Sequence, residues 1–205
     1  MRSQTGHCAR RRQGGGSRWD SEHAGYAYAI LAAGWLIWLT PFLVIKRNTG
    51  PPAKLDRRAR WGVLLILIAY SLLWQGNFWT RAPGPWRTAV SVLFFVIAGV
   101  LSWTGARALG RHWRLDAALN SEHELVQSGP YRVIRHPIYA SMFCVLLGTG
   151  LVLVTPLPLL LPSILLFAIG TEIRVRIEDR LLASRFGDQF LDYQRRVSAL
   201  IPFLR

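Results

Sequence analysis

HPIYASMFCVLLGTGLVLVTPLPLLLPSILLFAIGTEIRVRIEDR, residues His136 to Arg180, sets the architecture of this chain. It holds two apolar runs divided by Pro156, Pro158 and Pro162. The first runs from Pro137 to Val154, and the second resumes after TPLPLLLP and persists to Ile173. Proline lacks an amide hydrogen and stiffens the backbone, so the cluster predicts a tight turn or kink between two helices. No charged residue interrupts either run before Glu172. Charge collects at the two ends instead, as Arg135 and His136 before the first run and EIRVRIEDR at the end of the second. A pair of bilayer-spanning helices in a close hairpin accounts for this, with both charged ends on one side of the membrane.

Outside this segment the same pattern recurs. Apolar runs extend over Gly25–Ile45, Trp61–Trp79 and Trp86–Trp103. The first is about 21 residues long, which suits a spanning helix better than the short core of a cleaved signal peptide. The expectation is an all-α integral membrane bundle of about five transmembrane helices. A length of 205 residues, with 51% apolar and only 18% charged side chains, fits one such domain. Residues 1–23, with Arg10–Arg12 and Gly14–Gly16, offer almost nothing to bury and read as a flexible basic tail. Residues 24–205 then form the single membrane domain.

The net charge of +14 raises the question of nucleic acid. Placement answers it: basic residues sit between and beside the apolar runs and build no continuous basic face, so no nucleic-acid partner is expected. Their distribution orients the chain instead. Five spans put 46–60, 107–135 and 174–205 on one side with 18 of the 25 basic residues. The positive-inside rule makes that side cytoplasmic and places the amino terminus outside. Trp74, Trp79 and Trp86 then join an aromatic belt at the outer interface. Cys8 and Cys144 suggest neither a disulfide nor a metal site, and His7, His23 and His112 lack ligand spacing, so no metal is expected.

Two polar clusters share the cytoplasmic face. Pro137 suits the first turn of a helix, whose free amide hydrogens make an anion site that Arg135 and His136 supplement with donors. Tyr139 on that turn offers a ring face or a hydroxyl. On the residues alone, the same arginine and histidine serve equally well as headgroup anchors. In the second cluster Arg174 and Glu178, like Glu172 and Arg176, are helical i,i+4 neighbours. They form either solvated surface bridges or the lining of a polar cavity at the bilayer edge. Beyond them, Phe186–Gly187 marks a helix stop. A short amphipathic helix follows, with Phe190, Tyr193 and Val197 on one face, placed to close over the cluster.

HELVQSGPYRVIRHPIYA (His123–Ala140) and RVRIEDRLLASRFGDQFLDYQRRVSALIPF (Arg174–Phe203), with LGRHW before them, resemble the isoprenylcysteine carboxyl methyltransferase family and the related membrane phospholipid methyltransferases. The likeness covers about the last hundred residues, 107–205, and reaches the first three spans only in hydropathy. It implies an integral membrane enzyme that uses S-adenosylmethionine without the Rossmann-like fold of soluble methyltransferases. It implies a cofactor site of His123, Glu124, Leu125, Val126, Tyr131, His136, Pro137, Ile138, Tyr139 and Glu178, with Arg174 set against the methyl acceptor. Arg174 and Glu178 are thus the catalytic pair. The family usually shows two adjacent glutamates, whereas this chain has Glu178–Asp179.

The chemistry agrees with that implication. A carboxylate suits the helix start at Pro137, and a cationic sulfonium suits aromatic faces such as Tyr131 or Tyr139. Methyl transfer is an in-line displacement that depends on alignment and exclusion of water. A carboxylate acceptor needs no general base, and Arg174 can orient it. An amine or phenol acceptor would call on Glu178 or Glu172. The expected partners are a lipophilic or lipidated acceptor and membrane lipids. A lipid N-methyltransferase, a nicotinamide-dependent enzyme of the sterol-reductase type, and a non-catalytic scaffold or transporter subunit are the competing readings. The near absence of ionisable groups within the spans weighs against transport.

Overall fold

The computed structural model describes residues 16–45, 54–55, 57–75, 83–110, 118–119 and 125–200, with side chains from residue 25 onward outside the two short strands. Five apolar helices appear in the expected order: α1 Gly16–Val44, α2 Ala59–Leu73, α3 Pro85–Leu109, α4 Pro137–Val152 and α5 Leu157–Phe186. A short polar helix, α6 Asp188–Arg196, follows. The chain is an integral membrane helical bundle. Three of its helices, α1 over Gly25–Val44, α3 and α5, are long and apolar enough to cross a membrane. The apolar helices α2 and α4 have 15 and 16 residues. At 1.5 Å per residue they reach about 22–24 Å, less than the roughly 30 Å hydrocarbon core.

Prolines and glycines set the helix ends. Pro85 and Pro137 occupy first turns of α3 and α4, where the missing amide hydrogen costs nothing. Gly187, at a φ of 53°, ends α5 and begins α6 in a backbone conformation that a Cβ would strain. Two boundaries differ from expectation. α1 begins at Gly16, inside the segment expected as a flexible tail, because each residue added to an existing helix gains a backbone hydrogen bond; residues 1–15 lie outside those described. The turn before α5 falls at Leu153–Pro156, and Pro158 and Pro162 are absorbed into α5 itself. Pro158 sits where no amide hydrogen bond is required. Thr155 fastens the turn to α2 by donating its hydroxyl to the Leu73 carbonyl at 3.2 Å.

Sequential neighbours α4 and α5 are joined tightly, yet each finds its main partner elsewhere: α4 packs on α3, and α5 packs on α2. The α2–α5 crossing works because Gly62 faces Gly170. A Cβ on Gly62 would stand 2.5 Å from the Gly170 carbonyl oxygen and 2.7 Å from Arg174 Cγ. In the other half of the bundle Phe95 of α3 lies between Gly34 of α1 and Gly148 of α4. Small residues permit such approach in a lipid solvent, where apolar contact alone gives helices little reason to associate. Polar side chains add the specificity. Trp38 Nε1 donates to Ser141 Oγ at 2.9 Å, Trp35 Nε1 to Thr149 Oγ1 at 3.1 Å, and the Tyr70 hydroxyl to the Met142 carbonyl at 2.7 Å.

α5 has 30 residues, about 45 Å of helix, so its last turns project beyond any bilayer that its apolar part crosses. The start of α4 and α6 pack on that projection, while the end of α3 packs on the Gly129–Arg132 turn and the start of α4 beside it. Two short strands, β1 Lys54–Leu55 and β2 Ala118–Leu119, pair antiparallel and link the α1–α2 and α3–α4 connections at this end. At the opposite end Trp74 and Trp86 are exposed, and Arg87 lies 5.3 Å from the Trp86 ring, as an interfacial belt requires. Trp79 lies outside the described residues.

Candidate functional site

The polar end of the bundle brings the two sequence clusters into contact. Pro137 starts α4 and leaves His136 as its N-cap, so the imidazole and Tyr139 sit on the lip facing α5. On α5, Arg174 and Glu178 are one turn apart and share a face. The Tyr139 hydroxyl donates to Glu178 Oε1 at 2.5 Å and accepts from Arg174 Nε. Arg174 Nη2 donates to the same Oε1 at 3.1 Å, and its guanidinium carbon lies 5.7 Å from the Tyr139 ring centroid. Glu178 Oε2 stands 3.6 Å from His136 Nδ1. Arg174, His136 and Tyr139 are buried, while the Glu178 side chain keeps 23% of its surface exposed. Arg174–Glu178 is therefore a largely buried pair and not a solvated surface bridge. Glu172–Arg176 is the exposed bridge, at 2.6 Å.

A second carboxylate completes the junction. Asp179 Oδ1 accepts from His136 Nε2 at 3.0 Å, and Oδ2 accepts from Arg135 Nη2 at 3.0 Å and Gln194 Nε2 at 3.1 Å. Arg135 also donates through Nη1 to the Gln194 carbonyl at 3.1 Å and to the Val197 carbonyl, which crowns the last turn of α6. The Arg135 and His136 amides bond the Ser198 and Ala199 carbonyls at 2.8 and 3.0 Å, beside a parallel bridge between Ile134 and Ser198. α6 thus closes over the cluster as its pattern suggests, with Phe190 and Tyr193 buried. Val197 departs from that pattern: it is extended, beyond the helix end.

These contacts correct one expectation. Arg135 and His136 direct their donors to protein carboxylates on α5, so a free anion cradle at the start of α4 does not describe them. Burial pushes the His136 pKa down, but hydrogen bonds and charge from Asp179 and Glu178 outweigh it and raise the pKa to about 9. The imidazole is a cation at neutral pH. Arg135, His136 and Arg174 then face the two carboxylates Glu178 and Asp179 in one cluster of opposite charges.

Tyr131 lies in a short 3-10 turn, Gly129–Arg132, with its ring buried and its carbonyl accepting from the Tyr193 hydroxyl at 2.6 Å. Burial, with Tyr193 and Glu178 nearby, pushes its phenol well above the usual range and keeps it neutral. Burial likewise raises the Tyr193 phenol to about 12. Leu125 and Val126 are half-buried ahead of this turn. Ile138 turns toward the apolar core, packed against its buried residues. His123 and Glu124 lie outside the described residues. The structure therefore joins His136, Tyr139, Arg174 and Glu178 directly. Sequence reasoning missed Asp179 as the hub of the junction, and it missed Gln194 altogether. A carboxylate adjacent to Glu178 was the available signal for the first; one glutamine on a polar helix gave none for the second. Among the described residues no group of three His, Cys, Asp or Glu is placed to hold a metal ion.

The family resemblance is borne out by comparison with known proteins. The model of the isoprenylcysteine carboxyl methyltransferase (ICMT) family matches residues 91–184, from α3 to the end of the polar cluster on α5. A protein-S-isoprenylcysteine O-methyltransferase of Tribolium castaneum is 31% identical over 121 residues, covering 58% of this chain and 43% of that protein. The cobalt-zinc-cadmium resistance protein CzcN of Cupriavidus metallidurans is 34% identical over 145 residues, covering 70% of this chain and 62% of that protein. The solved structure of a eukaryotic intramembrane Ras methyltransferase, ICMT, superposes with a TM-score of 0.56 at 24% identity, over 72% of this chain and 54% of that one. The chain thus spans about half of the lengths of these relatives. The shared fold is that of an intramembrane helical protein.

Proposed function

Residues 91–184 carry the isoprenylcysteine carboxyl methyltransferase region, and from that premise we propose that the protein is a membrane methyltransferase. It transfers a methyl group from S-adenosylmethionine to a lipophilic acceptor bearing a carboxylate, such as a prenylated cysteine. One observation carries the reading. His136 and Tyr139 from the first motif meet Arg174 and Glu178 from the second in one partly open junction at the end of a membrane bundle.

The donor set fits the cofactor. Glu178 presents a carboxylate whose Oε2, among the described residues, is approached by His136 Nδ1 at 3.6 Å and whose side chain stays 23% exposed, which suits a cationic group. Tyr131 and Tyr139 offer neutral rings, and cations favour aromatic faces. Leu125 and Val126 are half-buried apolar side chains ahead of the Tyr131 turn, while Pro137 and Ile138 pack toward α3 and the core and serve the set by shaping the start of α4. His123 and Glu124 complete the set that the resemblance implies. The bound cofactor supplies an electrophilic methyl group on a positively charged sulfur. The chain's task is placement and exclusion of water, which needs no acid or base when the acceptor is a carboxylate. Arg174 is held rigid by Tyr139 and Glu178, so it presents a fixed positive group for orienting that acceptor. α6 covers the junction and keeps water from it. Placing this end on the cytoplasmic side, with the amino terminus outside, follows from its 18 of 25 basic residues. The acceptor then enters sideways from the bilayer and the cofactor enters from the water.

The test is transfer of a labelled methyl group by purified protein in lipid nanodiscs, to prenylcysteine analogues and to fractionated membrane lipids. Base-stable labelling of an amine lipid in place of a base-labile ester would redirect the reading to N-methylation. Absence of both transfer and S-adenosylhomocysteine binding would overturn it.

A further inference from the structure

We propose that Asp179 is a positioning residue: it fixes the His136 ring between the two carboxylates of α5 and locks α6 onto the same joint, without touching the methyl donor. The inference rests on the methyl-transfer reading and assigns a division of labour within its site. Consecutive helical residues point about 100° apart, so Glu178 and Asp179 cannot serve one ligand from one direction. Glu178 turns toward Arg174 and Tyr139, and among the described residues its second oxygen meets only His136 Nδ1, at 3.6 Å. Asp179 turns toward the start of α4 and the end of α6. Both its oxygens are engaged by His136, Arg135 and Gln194, and only 12% of its side chain is exposed. Three donors occupy all but one of its roughly four acceptor sites, and the one left is on Oδ1, the oxygen held against His136, so little of Asp179 remains for a cofactor amine or hydroxyl.

What Asp179 does is legible in its partners. Gripping His136 Nε2 turns Nδ1 toward Glu178 Oε2, so the ring bridges the carboxylates and keeps Glu178 from swinging away from Arg174. Gripping Arg135 and Gln194 fixes the last turn of α6, whose carbonyls at Gln194 and Val197 also accept from Arg135. Cover and cofactor carboxylate are thus referenced to one residue. Among the described residues the charged and titratable groups around His136 are Glu178 and Asp179 on α5, Arg135 beside it, and Tyr139 with Arg174 behind. α6 contributes the neutral Gln194, and Tyr193 is protonated to about pH 12.

Asp179→Asn and Asp179→Glu, measured for kcat/KM toward S-adenosylmethionine between pH 6 and 10, decide the matter, with Asp192→Asn on the exposed face of α6 as control. In the wild type the His136 cation, and activity with it, is present below and lost as pH rises through about 9. Removing one facing carboxylate lowers that limb by about 1–3 pH units. Asp179→Asn is therefore expected to lose about 3-fold at pH 8.5 if the limb moves by about 1 pH unit and more than about 100-fold if it moves by about 3, and no more than about 2-fold at pH 6. Asp179→Glu keeps the charge, but its longer arm displaces the ring, so about a 10-fold or greater loss is expected with the limb in place. A cofactor ligand predicts the reverse: a pH-independent loss for asparagine and tolerance of glutamate. Either result would overturn the proposal. Should Asp179→Asn not fold, Asp179→Glu decides alone, since near wild-type activity refutes positioning. If the wild type transfers no methyl group, the methyl-transfer reading fails by itself. NMR titration of the His136 ring then still tests the joint, with an unmoved pKa in whichever Asp179 variant removes the charge counting against it.

Discussion

The two places where α5 meets the rest of the molecule follow opposite physical rules. Along the membrane part, α5 meets α2 through Gly62 and Gly170, with side chains absent where the backbones cross. Two turns further on, it meets α4 and α6 through Arg174, Glu178 and Asp179, where nearly every polar atom of the interface is paired. The first contact gains by close van der Waals approach in a medium that already solvates apolar groups. The second gains by matching charges that burial would otherwise penalise severely. Arg174 belongs to both, since its Cγ lies over Gly62 while its guanidinium holds Tyr139 and Glu178. Packing in the membrane and geometry in the site are therefore coupled through a single side chain.

The coupling predicts the largest effect. Gly62→Leu forces a side chain into the Gly170 carbonyl and the Arg174 stem, and overpacking against a backbone costs more than about 3 kcal/mol. Thermal unfolding in nanodiscs should show little folded protein, and methyl transfer should be lost with it. Gly34→Ala sets a Cβ 2.4 Å from Phe95 Cγ, on a ring whose far edge rests on Gly148, but it lies away from the polar junction. It should lower the unfolding temperature while leaving the activity of the folded fraction intact. If Gly34→Ala damaged activity as Gly62→Leu does, the two regions would not be separable.

Glu178→Gln attacks the polar contact without touching the packing. It removes one charge but keeps size and the capacity to accept from Tyr139. A charged hydrogen bond contributes about 1.5–3 kcal/mol, so affinity for S-adenosylhomocysteine should fall roughly 10- to 100-fold by calorimetry. The unfolding temperature should move far less than for Gly62→Leu. Unchanged cofactor affinity would remove Glu178 from the site.

The contrast also explains what could be read in advance. Hydropathy revealed the apolar helices because a bilayer imposes a simple rule on the outward faces, as with Leu43, Leu67, Val96 and Leu161, all of them exposed. It said nothing of partners: α4–α5 looks like a hairpin in the sequence, yet their principal contacts go to α3 and α2. Glycines at 34, 62, 148 and 170 carry no label distinguishing a crossing point from a gap. The site was more legible because its chemistry is dense and ordered by helix periodicity, which put Arg174 beside Glu178 and His136 beside Pro137. The direction of each side chain was not legible. On the sequence alone Arg135 and His136 await an anion; in the fold α5 and α6 supply their partners.

Within the membrane part, Trp38→Phe tests a contact of intermediate weight. It deletes the indole donor to Ser141 while keeping most of the ring that packs edge-on against Trp35 and Phe42. Ser141 Oγ still donates to the Ile138 carbonyl at 2.6 Å, so no buried hydroxyl is orphaned as a donor. A loss of about 1 kcal/mol in stability is expected, without change in kcat. A loss several times larger would show that the indole bonds, and not the glycine contacts, hold α1 to α4.

Thr171→Val should do least, and its sign is informative. Thr171 lies on α5 next to Gly170 and one turn before Arg174, with 1% of its surface exposed. Among the described residues its buried Oγ1 has no hydrogen-bond partner, unlike the paired oxygens two turns later. Valine replaces the hydroxyl by a methyl of nearly the same size and retains the β-branch. The desolvation penalty of an unpaired hydroxyl is about 1–3 kcal/mol, so the substitution should be neutral to stabilising in thermal unfolding. A clear loss of stability would mean that the hydroxyl has a partner in the folded protein, such as a bound water. A selective rise in KM for the acceptor, with cofactor affinity unchanged, would mean that the partner is the substrate. Thr171 would then move from the packing side of α5 to its chemical side, and the border between the two regimes would lie one turn deeper than Arg174.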